Sequence, residues 1–142
     1  MLTNFAREIK IMSSIAEGVG ISRLGQIQIG ARDVERAAAF YENVLGLKLL
    51  FKAPPGLAFF DCGGVRLMLD HPEKPEFDHA SSILYFSVPD IHAAYSKMKL
   101  QKVKFEDEPH MIARMPDHDL WMTFFRDSEG NLLALMSEVK RA

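Results

Sequence analysis

The chain has little that could form a covalent or metal framework. Cys62 is its one cysteine, which excludes an internal disulfide and, with no secretory signal, makes a cytoplasmic location the expectation. Neither charge sign is in excess. The 17 Lys and Arg against 19 Asp and Glu leave a net charge of −2, which gives no footprint for nucleic acid. No apolar run approaches the roughly 18 residues that a membrane span needs. Residues 1–11, MLTNFAREIKI, carry charge where a signal peptide needs a continuous apolar stretch. The glycines of FDCGG lack the pattern of a phosphate loop. What is present is apolar content, 48% of 142 residues, enough for one domain with a real core.

Residues 1–23 read as an N-terminal extension, either partly disordered or laid over a sheet edge. The domain is expected over 24–138. GQIQIGA alternates polar and apolar residues as a half-buried strand does, and RDVERAAAFYENVLGL follows with helical spacing. Asp33 is placed to cap that helix and Gly46 to end it. KLLFK, LAFFD and VRLMLD read as short strands, and HPEKPEFDHASS as a loop. The pattern then restarts with ILYFSV and PDIHAAYSKMK, setting Asp33 against Asp90 and Gln26 against Ile83. VRLML likewise matches NLLAL, so the chain is a duplicated β-α-β-β-β unit, with module one over 24–80 and module two over 81–138.

QIGARDVERAAAFYENVLGLKLLF, with FFRDSEGNLLALM near the end, resembles the vicinal oxygen chelate superfamily. That superfamily holds glyoxalase I, bleomycin-resistance proteins and extradiol dioxygenases. The resemblance covers residues 24–138 and implies an α+β fold. Its two tandem modules would form a cup-shaped mixed sheet, with helices outside and a ligand site inside. It also implies a homodimer, with no membrane partner. Its metal-binding members take ligands at positions matched here by Gln26, Met68, Ile83 and Ala134. Gln26 offers a neutral oxygen, Met68 a soft thioether, and Ile83 and Ala134 nothing. A divalent ion needs three or four hard or borderline donors, so no metal cofactor is expected.

Strand alternation gives a separate route to a binding face. Ile27 and Ile29, Leu67 and Leu69, Leu84 and Phe86, and Leu133 and Leu135 form the apolar sets that pack under the helices. The opposite face carries Gln26, Gln28, Arg66, Met68, Tyr85 and Ala134, the mix of a ligand pocket. Arg66 is expected to pair with Asp70 or with an anionic ligand. Trp121 joins the candidates as a stacking surface, with core packing as its alternative. His110, His118 and Asp119 are weak catalytic candidates, because the connection EPHMIARMPDHD is read as reaching the cup's mouth.

Three functions compete at this point. One is a metal-independent binder of a small, partly polar or anionic organic molecule. The second is a glyoxalase-related lyase or isomerase using an atypical metal site or His/Asp acid–base chemistry. The third is a dimeric scaffold without a ligand.

Overall fold

In the computed structural model, which describes residues 18–72 and 75–141, the two modules share one plan, but the second has five strands where the expected β-α-β-β-β unit has four. Module one runs β1 (Gln26–Gly30), α1 (Val34–Ala39), β2 (Lys48–Ala53), β3 (Leu57–Cys62) and β4 (Val65–Asp70). Module two runs β5 (Leu84–Ser87), α2 (Ile91–Leu100), β6 (Lys104–Phe105), β7 (His110–Arg114), β8 (His118–Arg126) and β9 (Leu132–Lys140). Two open sheets result. The first has the order β1-β4-β3-β2, and the second β5-β9-β8-β6, with β7 also paired to β8. In each, the first and last strands of the module pair in parallel: Gln28 lies opposite Met68, and Tyr85 opposite Ala134. The expectations for residues 1–17 lie outside the described residues. Residues 18–25 form no regular element, though Arg23 donates to the Gly64 carbonyl at 2.9 Å.

Local chemistry explains the helix starts. The Asp33 carboxylate accepts the backbone N–H of Arg36, and the Asp90 carboxylate accepts those of His92 and Ala93. Each supplies a partner that the first helical turn cannot find within itself. The first helix departs from the 3.6-residue pattern after Ala39. Phe40–Val44 is a π-helical turn, in which the Leu45 N–H reaches back to Phe40 O at 3.1 Å. Gly46 then takes φ +71°, which lets the chain leave the helix for β2.

The helix-side faces of both sheets share one core. Ile29, Tyr41, Phe60, Leu67 and Leu69 of module one are buried in the same cluster as Ile91, Phe125, Leu133 and Leu135 of module two. Each such side chain contributes about 1.5–3 kcal/mol by leaving water. The turn DSEGN joins the modules. Buried Asp127 accepts the Tyr41 hydroxyl at 2.8 Å and the Asn131 side-chain amide at 2.9 Å, and Asn131 also donates to Gly30 O at 3.0 Å. Burial, then the nearby Asp127, pushes the Tyr41 phenol far above its ordinary range.

Glu129 completes the joint with a forked pair. Arg36 donates through Nε at 2.7 Å and Nη2 at 3.0 Å, and the Asp33 N–H adds a third bond. The hydrogen bond from Arg36 is the main reason the Glu129 carboxyl falls from 4.5 to about 2. A carboxyl depressed on folding stabilises the native state above its unfolded value. That contribution is lost as pH falls from about 4.5 toward about 2. Thermal melts across this range are expected to show a slope that Glu129→Gln flattens. An identical slope in the variant would remove Glu129 from the account.

Candidate functional site

The face of the first sheet turned away from the core gathers the sequence-selected residues Gln26, Gln28, Arg66 and Met68. Cross-strand register sets them in rows, Gln26–Arg66–Asp61 and Gln28–Met68–Phe59–Phe51. Arg66 donates through Nε to the Gln26 side-chain oxygen at 2.8 Å, and its guanidinium lies 5.3 Å from the Phe59 ring centroid. The Gln26 amide nitrogen turns to Met68 Sδ at 3.6 Å. The expected Arg66–Asp70 pair does not form, because the two lie four residues apart on β4, about 13 Å along a strand, and Gln28 holds the Asp70 carboxylate at 2.7 Å. Among the described residues Arg66 therefore has only neutral side-chain partners, Gln26 and Phe59. An open hollow of about 480 Å3 adjoins it, lined by Arg23, Gln26, Leu50, Asp61 and Arg66.

Phe51 and Phe59 were not foreseen as site residues. Their rings stack with centroids 4.5 Å apart on this same face. A bulge at Leu50 puts Phe51 there: Leu49 pairs with the core residue Phe60, but Phe51 pairs with Phe59. Without the extra residue, Phe51 would share Leu49's side.

The second sheet arranges its outward face differently. Tyr85 and Phe124 flank Ala134 on the neighbouring strands, their rings meeting edge to face at 5.9 Å. Ala134 is 0% exposed. Trp121 takes the core-packing alternative and not the stacking one: it lies on the helix side, packed on the core and set edge-on to His92 at 5.0 Å. It shares that side with buried Thr123 and Phe125, as alternation along β8 requires.

The weak catalytic set also comes apart. EPHMIARMPDHD is not one loop: it holds strand β7, with a register shift around Ile112, a turn, and the first residues of β8. His118 pairs with Asp117 at 2.7 Å, and Asp119 is held by Arg141. No His118–Asp119 couple forms, since adjacent strand residues point to opposite faces. The bond with His118 holds the Asp117 carboxyl below its usual range. His110 lies across from Met122, four residues along β8 from His118, and bonds the Glu108 carbonyl at 2.9 Å. That spacing is about 13 Å along a strand, so the two histidines do not share one site.

The residues at the resemblance's metal positions do not fit a divalent ion. The one oxygen donor, on Gln26, is already held by the Arg66 cation. Met68 offers sulfur, Ile83 precedes β5 with an apolar side chain, and Ala134 is enclosed. Among the described residues no group of three or more His, Cys, Asp or Glu is placed to hold a metal. None of their helices is long and apolar enough to cross a membrane.

Known proteins agree with this fold. The profile of the Glyoxalase/Bleomycin resistance protein/Dioxygenase superfamily matches residues 23–135. The chain belongs to that superfamily. A superfamily member from Sphaerobacter thermophilus superposes with TM-score 0.70 at 24% identity, over 83% of this chain and 98% of that one. A lactoylglutathione lyase from Agrobacterium tumefaciens gives TM-score 0.66 at 25% identity, over 82% and 94%. TnmS3, an antibiotic binding protein from a Streptomyces species, gives 0.68 at 22% identity, over 84% and 98%. These likenesses span an enzyme and a binding protein, so the fold alone does not choose between them.

Proposed function

We propose that this chain is a metal-independent binding protein for a small aromatic anion, held on the outward face of the first sheet. One observation carries the reading. Arg66 is fixed by Gln26 and Phe59 yet has no carboxylate partner among the described residues. A guanidinium so placed is prepared for a carboxylate or sulfonate, with the exposed Phe51 ring, stacked on buried Phe59, offering an apolar surface beside it. The antibiotic-binding neighbour supports this direction, since it shows the fold serving a binding role. Titration of 2-naphthoate into chelator-treated protein tests it. Saturable one-site binding without any divalent ion is expected, and binding that requires an added ion would reject metal independence.

The same reading includes a cytoplasmic homodimer. Leu50 and Phe51 on edge strand β2, and Met111 and Ile112 on β7, are exposed apolar residues at sheet margins. Such edges favour association with a second chain. Sedimentation should report twice the chain mass of 16.0 kDa. A monomer at tens of micromolar would remove the dimer from the proposal.

A further inference from the structure

A second cavity lies between the modules and shares no lining residue with the hollow beside Arg66. Its volume is about 570 Å3, within the range of small-molecule pockets. One wall is β5 and the residue after it, Tyr85 to Val88. The facing wall combines Asn43–Leu47 with Cys62 and Gly63 from the β3–β4 turn, and α2 adds Ala94, Lys97 and Met98.

Three features of this groove bear on what it would hold. First, the lining is mostly apolar, and among the described residues Lys97 is its one charged side chain, with no carboxylate in the lining. Second, β5 is the edge of its sheet among the described residues, so one side of its backbone has no partner strand among them. Unpartnered N–H and C=O groups there can meet a polar atom of a ligand. Third, the facing wall is built by the π-helical turn Phe40–Val44 and the residues that follow it. Such turns interrupt a regular helix at some cost and recur at functional sites.

From this arrangement we infer that the groove binds a monocarboxylate with an extended apolar body, its carboxylate at Lys97 and its chain along the β5 edge. The shape argues for a linear body, because four successive strand residues give a wall of about 10 Å. The lone cation selects an anion over a neutral or cationic head. Cys62 is half-buried in the lining, and burial followed by Asp61 raises its thiol pKa. It reacts slowly at neutral pH and reports occupancy through protection. The site is separate from the Arg66 face, and the two can be tested independently.

The experiment titrates decanoate and decanol, below micelle-forming concentrations, into the full chain by calorimetry. Decanoate is expected to bind about five- to tenfold more tightly than decanol, the range of one charge-assisted contact at a half-open site. Lys97→Met should erase that difference and Lys97→Arg should keep it. Arg66→Ala should leave decanoate affinity unchanged. Modification of Cys62 by a thiol reagent should slow severalfold at saturating decanoate. Equal affinity for the two ligands, or unchanged decanoate affinity in Lys97→Met, would overturn the assignment. So would loss of decanoate binding in Arg66→Ala, or a Cys62 rate unaffected by decanoate. Lys97 is exposed, so its replacement leaves folding intact.

Discussion

Asp127→Ala is expected to lower stability by about 3–5 kcal/mol, a fall of roughly 10–20 °C in melting temperature. Asp127 is 6% exposed and accepts from Tyr41 Oη, the Asn131 side chain, and the backbone N–H groups of Glu129 and Asn131. Removing the carboxylate leaves a fully buried tyrosine hydroxyl without an acceptor. It also releases the turn that docks module two on α1 and β1. Leaving buried polar groups unpaired costs more than the net value of the bonds themselves. Tyr41→Phe removes one donor and leaves the other three in place, so it should cost only about 1–1.5 kcal/mol. Calorimetry of both variants checks the asymmetry. Equal losses would show that the carboxylate matters only through Tyr41.

Arg66→Ala is expected to weaken 2-naphthoate binding by roughly 10- to 100-fold, the usual value of a charge-assisted hydrogen bond. Stability should hardly change. Arg66 is exposed and its packing on Phe59 contributes about 0.5–1 kcal/mol. Arg66→Lys should recover only part of the affinity, because an ammonium keeps the charge but not the planar fork or the stacking. A calorimetric series on the three proteins separates these terms. If Arg66→Ala binds as tightly as the parent protein, the ligand does not sit at this face.

Much of the fold could be read from the residues because its signals are local and repeated. Asp33 and Asp90 cap helices at equivalent places, and the pairing of Gln28 with Met68 recurs as Tyr85 with Ala134. The apolar sets of β1, β4, β5 and β9 do face the core. The misses arise where one residue is inserted. A bulge at Leu50 turns Phe51 outward, and a π-helical turn after Ala39 resets the helix, neither leaving a mark in the sequence period. Trp121 was legible in principle, since alternation with Phe125 assigns it to the core side. The partners of Arg66 were not. Its partner is Gln26, directly opposite on β1, which depends on cross-strand register, whereas Asp70 lies four residues along β4, out of reach, and is held by Gln28.

The most direct measurement follows the arginine side-chain Nε–H signals by NMR as 2-naphthoate is added to chelator-treated protein. The Arg66 signal, assigned through Arg66→Lys, is expected to shift and saturate, together with ring resonances of Phe51 and Phe59. Shifts that appear only after a divalent ion is supplied, or that leave Arg66 and both rings unmoved, would contradict metal-independent binding at this face.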